Sequence, residues 1–569
     1  MDPLTWAAVA GRRQDEINNA IPEPYRLTTT LLEACNLIKL PETCGILEER
    51  ELKITSHTAT ELLKLLHNET YTAVEVTKAF CKRAAVAHQA TNCLAWIMFE
   101  QALEDAAALD AFMQTHHRPQ GPLHGLPISV KECINIKHTP STSGFIAWAD
   151  NFQDDDALIV KTLRAAGAIF HVKTTDPQGL MVRNESRTSM INRLTFEFLQ
   201  QALECVSNLY GLTTNPHNKK LTPGGSTGGE GALIAMRGSL IGVGSDIGGS
   251  IRAPAAFSGI YGLKPSVARI PHGGLIAVQN GMEHIVGVIG PMGICLEDLS
   301  LFCKVVLDTE PWLYEPSLIE LPWKSVQTVP TESRRKLKFG IMYHDGVVVP
   351  HPPNSRCLVE ISHAIKKAGH SAVTWDPALH SDLVKCISQL LSLDCGQEFI
   401  ETLMAGGEPP TTLSQALLPD TDKTQLTVQD TWKLNIRRNE LQIAYAEQWN
   451  AVGVDAIICP VTPSVASAHN ESLYWGYTSA FNILDYPCVT VPIGTVADSD
   501  TWENFPPQSR EPMSELDTTF RNFYTGPEKY KDAPIGLQII TRRLREEQAI
   551  MIASEVMGIL SKSRLGVSA

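Results

Sequence analysis

The stretch from Leu221 to Ser266 limits what this chain can become more than any other, because it carries two serines set among glycines. It reads Leu-Thr-Pro-Gly-Gly-Ser226-Thr-Gly-Gly-Glu230-Gly, then Val-Gly-Ser-Asp246-Ile-Gly-Gly-Ser250-Ile-Arg252, then Tyr-Gly-Leu-Lys-Pro-Ser266. Between the serines the pattern predicts a short helix over Ala232–Arg237 and a short buried strand over Leu240–Gly244. The two elements have similar lengths, so the chain runs out and back and both serines return to one edge of a sheet. Glycine beside each serine lets the backbone turn sharply and leaves its N–H groups uncovered, as stabilising a developing oxyanion requires.

Three generic motifs compete for this stretch. A phosphate-cradling loop needs lysine after its glycines, and here Gly229 is followed by Glu230, which repels phosphate. The run Gly242 to Gly248 has one residue too many for a dinucleotide fingerprint. Gly224-Gly-Ser226-Thr-Gly228 does match the nucleophile elbow of α/β-hydrolases, which makes an esterase with a Ser-His-Asp triad on Ser226 a real alternative.

A second informative stretch is Gly121-Pro-Leu-His124-Gly-Leu-Pro-Ile-Ser-Val-Lys131-Glu-Cys133. Ile128–Val130 reads as a short strand with Lys131 at its end. A cation there is costly unless it deprotonates or finds partners, and desolvation favours the neutral amine that a general base must be. The plainer reading, a strand-end lysine reaching solvent, stays open on these residues alone. His124 and His138 flank the stretch and are expected to be hydrogen-bonded bystanders, since no third group orients either ring.

Composition narrows the class. The chain has 569 residues, 43% hydrophobic and 19% charged, enough to bury a large core as one α/β enzyme or several domains. Its net charge of −14 argues against a nucleic-acid partner, which needs a basic face. The thirteen cysteines are scattered with no C-x-x-C pair, which suits free thiols in a reducing compartment rather than disulfides or a zinc site. No signal-peptide pattern opens the sequence, and no apolar run reaches the ~18 residues of a spanning helix. The expected location is therefore cytoplasmic, without a membrane partner, and the Asn-x-Ser/Thr triplets at Asn68, Asn184 and Asn470 carry little meaning.

On the two-serine stretch and the Gly-Leu-Pro-Ile-Ser-Val-Lys131 context, the chain resembles the amidase signature family, and within it the fungal acetamidases, from about Leu52 to Val556. The resemblance implies an α/β fold: a single large α/β/α domain over 52–560, its central mixed, twisted sheet covered by helices, preceded by a helical extension over 1–51. It implies that Ser250 is the nucleophile, that Ser226 relays its proton through a cis peptide, and that Lys131 is the ultimate base. The N–H groups of Ile247, Gly248, Gly249 and Ser250 would surround the oxyanion, with Ser226 and Leu180 beside the substrate. Thr227, Asp246 and Arg252 would hold the two loops together. The implied substrate is a small carboxylic amide, cleaved to carboxylate and ammonia without metal or organic cofactor. Glu132 and Cys133 depart from the commoner pattern. A homodimer is left open, and so is a different class: a tRNA-dependent amidotransferase subunit or a non-catalytic relative.

One further departure is an insert of about twenty residues, roughly Val182 to Ala202, ahead of the family landmarks at Glu204, Asn208 and Gly211. Leu199, Ala202, Leu203 and Val206 fall at helical spacing, which suits a tolerated surface helix. The alternative is untranslated sequence retained in a gene model. Elsewhere, helices are expected from Thr60 to Met113, over Leu158–Ala166, Leu296–Val306 and Leu358–Ala368. Strands are expected at Ala168–Val172, Leu337–Met342, Ala456–Pro460, Asp485–Pro492 and Pro534–Ile540, and a polar surface excursion over 495–531.

Overall fold

The computed structural model describes residues 5–181, 203–324, 335–416, 426–507, 509 and 511–564. The insert over 182–202 lies outside the described residues, and with it Asn184. Thirteen strands are described. Three of them, β1 (Leu94–Ile97), β2 (Pro127–Lys131) and β3 (Ile169–Thr174), precede a small hairpin of β4 (Val206–Ser207) and β5 (Gly211–Leu212). Then come β6 (Ile241–Asp246), β7 (Tyr261–Lys264), β8 (Val288–Gly293), β9 (Lys338–Ile341) and β10 (Ser371–Thr374). The last three are β11 (Ala456–Pro460), β12 (Cys488–Thr495) and β13 (Pro534–Ile540).

Eleven of these form one sheet in the order β1-β3-β2-β6-β8-β7-β12-β13-β11-β9-β10. Pairs β2/β3, β2/β6, β9/β10 and β9/β11 are parallel and the rest antiparallel, so the sheet is mixed. Every residue of β2, β3, β6 and β13 is buried, as expected of strands covered on both faces. Burial fades most at the edge strand β10, where Ser371 and Thr374 are exposed, and in part at the other edge, where Trp96 and Ile97 of β1 are half-buried. This is the single α/β architecture that the resemblance implied.

The helix over Ala73–Thr91 shows why the helix-rich reading of 60–113 fits. A Thr72/Glu75 capping box satisfies its first N–H groups, and its mostly small, apolar residues pass through the core. That reading missed β1, whose four residues Leu94-Ala-Trp-Ile are too few to show alternation between two strong helices. The stretch over 495–531 is not only a surface excursion. Glu515–Phe523 is a helix that buries Leu516, Asp517 and Phe520, and Asp500 is buried as the acceptor for Arg356 at 2.6 and 3.1 Å. Its polar residues are internal anchors, a role composition cannot distinguish from solvation.

At the N-terminus, Trp6–Asn19 is a helix whose buried Arg13 donates to the Ala149 carbonyl at 2.6 Å. Among the described residues, no helix is long and apolar enough to cross a membrane. None of the thirteen cysteines is in a disulfide.

Candidate active site

Parallel neighbours β2, β3 and β6 end side by side, which sets their last residues at one edge of the sheet. Lys131 is the last residue of β2 and is completely buried. Its Nζ lies 2.5 Å from Ser226 Oγ and 2.9 Å from Ser245 Oγ, and no carboxylate pairs with it among the described residues. The solvent-reaching alternative for this lysine is thereby excluded. A second buried lysine, Lys173 on β3, is spent elsewhere: its ammonium donates to the Pro140 carbonyl at 2.6 Å and to Ser141 Oγ at 2.9 Å. Burial lowers its pKa to about 8, with the Glu132 charge opposing.

Ser226 follows a cis peptide bond from Gly225 and precedes the helix Gly228–Ala235. Ser250 precedes the helix Arg252–Ser258. Thr227 binds the two loops directly: its N–H donates to the Ser250 carbonyl at 3.2 Å and its hydroxyl to the Ser245 carbonyl at 3.2 Å. Ser226, Ser245 and Ser250 open onto one cavity of about 520 Å³, whose wall includes Leu180, Ile247, Leu275, Val278, Met282 and Ile285.

Asp246 organises the loop of Ser250. Its carboxylate accepts from the N–H groups of Gly249 at 2.9 Å and Ile251 at 3.1 Å, from Arg252 Nε and Nη2 at 3.0 and 2.9 Å, and from Asn482 at 3.0 Å. Burial would raise its pKa, but the Arg252 charge and these hydrogen bonds outweigh it and hold the carboxyl well below the usual carboxylate range. The pair is wholly buried rather than a surface ion pair. Gly249 was expected among the oxyanion donors, but its N–H is engaged by Asp246. The N–H groups of Ile247, Gly248 and Ser250 have no protein acceptor among the described residues. Gly249 itself, with φ of +136°, has no room for a side chain, since a Cβ would sit 2.5 Å from Thr478 Oγ1.

Neither His124 nor His138 approaches the serines. The ring of His124 accepts from the Gln120 N–H at 3.1 Å, and His138 borders a different cavity. One imidazole, His272, does line the serine cavity, where it pairs with Glu315 at 2.8 Å, but it bonds neither serine. Sequence reasoning missed Ser245, the second hydroxyl on Lys131, and also Thr478, Asn482 and Gln538, which hold Arg252 from the far half of the chain. Glu132, the departure from the common pattern, accepts from the N–H groups of Thr142 and Ser143 at 2.6 and 2.9 Å and from the Tyr210 hydroxyl at 3.1 Å.

Glu230 was noticed only as a residue that repels phosphate. It is fully buried and fastens the helix Gly228–Ala235 to the sheet, accepting from Ser129 Oγ at 2.5 Å and Thr174 Oγ1 at 3.1 Å. Burial raises its pKa to about 8, with those hydroxyls pulling it back. The folded protein therefore holds a proton that the unfolded chain releases, and this contribution to stability is present below about pH 4.5 and lost as pH rises to about 8. Glu230→Gln is expected to flatten that decline and to raise the melting temperature relative to the parent at pH 8, as read by thermal unfolding across pH 5 to 8.

A fold and site of this kind define a hydrolase acting on amide carbon–nitrogen bonds, the class to which comparison with known proteins also leads. The Amidase family model matches residues 75–550, and the chain belongs to that family, the amidase signature hydrolases. It is 38% identical to the acetamidase of Aspergillus oryzae over 98% of this chain and all of that protein. It is likewise 38% identical to the acetamidase of Emericella nidulans, over 98% of this chain and 99% of that one. Among solved structures it is similar to a fatty acid amide hydrolase, with a TM-score of 0.89 and 31% identity, covering 98% of this chain and 95% of the other. A 6-aminohexanoate cyclic dimer hydrolase shares the fold at a TM-score of 0.67 and 20% identity, covering 89% of this chain and 97% of the other.

Proposed function

We propose that this amidase cleaves carboxylic amides through an acyl-enzyme on Ser250, with Ser226 as proton relay and Lys131 as base. The observation that carries the reading is the buried Lys131 Nζ, 2.5 Å from Ser226 Oγ and, among the described residues, in no ion pair with a carboxylate. Lys131, as the free amine, takes the Ser226 proton while Ser226 takes that of Ser250, and the Ser250 oxygen attacks the amide carbonyl. The carbonyl oxygen gathers negative charge against the N–H groups of Ile247, Gly248 and Ser250, with the first turn of the helix Arg252–Ser258 adding its positive end. The proton returns through Ser226 to the leaving nitrogen, the carbon–nitrogen bond breaks, and ammonia departs. Water then repeats the same steps on the ester, releasing the carboxylate and restoring Ser250. No metal or organic cofactor enters these steps.

The acetamidase relatives point to small carboxylic amides. The cavity refines this, because a two-carbon acyl group would leave most of its 520 Å³ unfilled, and its wall is largely apolar. Within a series of straight-chain primary amides, each added methylene that enters the cavity is worth about 0.8 kcal/mol, roughly fourfold in kcat/KM. Ammonia release from acetamide through octanamide is expected to show such a rise. A maximum at acetamide would exclude the refinement but not the amidase reading. Cysteines without disulfides suit a reducing compartment, and we place the protein in the cytoplasm, acting on a small-molecule substrate without a nucleic-acid or membrane partner.

A further inference from the structure

Leu180 reaches the wall of the serine cavity on a turn that does not hold itself. In the turn Gln178–Met181, Gly179 and Leu180 both take left-handed backbone angles, with φ of +63° and +54°. Glycine adopts that region readily, but leucine does so only where surrounding contacts impose it. Those contacts come from a segment 230 residues further along the chain. Gln178 is completely buried and its amide is engaged at both ends: Nε2 donates to Glu408 Oε2 at 2.8 Å and to the Pro409 carbonyl at 3.2 Å, while Oε1 accepts from the Thr411 N–H at 3.0 Å. Glu408, itself buried, also accepts from the Ile146 N–H at 2.7 Å and from Asn208 Nδ2 at 2.9 Å. Gln178 and Asn208 stand on either side of the insert in sequence, and one carboxylate oxygen joins them. The ring of Phe399 closes the other side, since a Cβ on Gly179 would lie 2.3 Å from its Cε2.

We infer that Glu408 is a positioning residue for the acyl side of the substrate: by holding Gln178 it fixes Leu180 in the cavity wall and so sets which acyl chains the enzyme prefers. The inference rests on the acyl-enzyme reading above. Glu408 is not among the residues lining the cavity, so it acts through Leu180 and not on the substrate. A carboxylate suits the task because only donors face it: two side-chain amides and one backbone N–H converge on its two oxygens. Without it, buried donors on three segments lose an acceptor, a cost that the turn can relieve by moving. The opposite wall hangs from the same part of the chain. Gln279 Nε2 donates to Asp394 Oδ1 at 2.8 Å and to the Leu391 carbonyl at 3.1 Å, and Val278 packs with Phe399 and Leu403. Leu180 and Val278 thus take their places from residues 391–411, which supply no group to the serine chemistry. Selectivity can therefore change while the relay stays in place.

The test is kcat/KM for straight-chain primary amides from acetamide to octanamide, read by ammonia release, with thermal unfolding as the check on folding. Glu408→Ala is expected to flatten the rise with chain length. The loss should be small at acetamide and about 15-fold at octanamide, roughly fourfold for each of two methylenes that lose their wall, and carried by KM rather than kcat. Leu180→Ala is expected to flatten the rise by a similar factor. The double variant should be no worse than Leu180→Ala alone, because Glu408 acts through that side chain. Glu408→Gln sets an amide N–H2 among donors and is expected to flatten the profile as well. Adding Gln178→Glu puts an acceptor opposite that donor again and should recover at least part of the selectivity. A general loss of packing would lower kcat/KM alike at every length, without rescue by the exchange. A Glu408→Ala profile parallel to the parent's would overturn this inference alone, as would an exchange variant no more selective than Glu408→Gln. A parent with its maximum at acetamide would overturn it together with the chain-length refinement, and a parent that releases ammonia from none of these amides would overturn it together with the amidase reading.

Discussion

Lys131→Met is expected to lower kcat/KM by about 10⁴-fold or more while leaving a folded protein, an effect of the size seen when a member of a nucleophile–base unit is removed. Methionine fills nearly the same space in the apolar interior at the end of β2, so the loss reports on the amine itself. Ser226→Ala interrupts the same proton path and is expected to cost a similar factor. Because the two act as one relay, the double variant should be little worse than either single one. Ser250→Ala should abolish the covalent intermediate outright, leaving no acyl adduct for mass spectrometry to trap. The competing Ser226 esterase reading makes the opposite forecast. It leaves Lys131→Met largely active and makes a histidine essential, and the histidine to test is His272, which shares the cavity but touches Glu315 rather than a serine. Steady-state ammonia release from the three variants and from His272→Ala decides between them. A Lys131→Met enzyme with a tenth of parental activity would sink the relay.

The residues of the proposed relay stand out in the sequence because each carries a local signature. Ser226 and Ser250 stand among glycines that few other structures need, and Lys131 ends an apolar run where a charge is out of place. The course of the chain between them was legible for the same reason: a short helix and a short strand, found at Gly228–Ala235 and Ile241–Asp246, close to the expected spans. What supports the site was not legible. Arg252 is held by Thr478, Asn482 and Gln538, which are 226 to 286 residues away. Pairing at that separation is set by the sheet order, in which β7 lies beside β12 and so brings the late strands β12 and β13 against the half of the sheet that carries Arg252. No local pattern encodes it. The commitment of the Gly249 N–H was hidden for a related reason. A glycine-rich loop announces free N–H groups, but whether Asp246 turns back to take one depends on φ and ψ values that composition leaves open. Glu230 shows the limit from the other side, since a carboxyl in a first helical turn reads as solvated until the strand edges that bury it are known.

Arg252→Met is expected to destabilise the protein by about 3–5 kcal/mol, the cost of removing one partner from a desolvated ion pair. Both side chains are completely buried, and the guanidinium reaches Asp246, the Thr478 carbonyl at 2.9 Å, Gln538 at 3.2 Å and Asn482 at 2.5 Å. Methionine can replace the packing of the side chain but none of these donors. The more decisive consequence is in the pH dependence. In the parent, Asp246 titrates below its unfolded value, so its contribution to stability is present above about pH 4 and is lost as the pH falls further. Without Arg252 burial is opposed by the Lys264 charge and the remaining hydrogen bonds from Gly249, Ile251 and Asn482 alone, so that pKa moves up, and once it passes the unfolded value the folded variant holds a proton that the unfolded chain gives up. Its stability should then fall as pH rises from 5 to 8, a slope that chemical denaturation at several pH values would reveal when set against the parent. Adding Asp246→Asn removes the stranded charge, and the double variant should recover part of the loss and lose the added slope. Activity should not follow stability in that rescue. The asparagine has one carbonyl oxygen where the aspartate offered two to the N–H groups of Gly249 and Ile251, so the loop carrying Ser250 stays misplaced and kcat stays low. A double variant with parental turnover would mean that the nucleophile is positioned by the fold at large and not by this carboxylate.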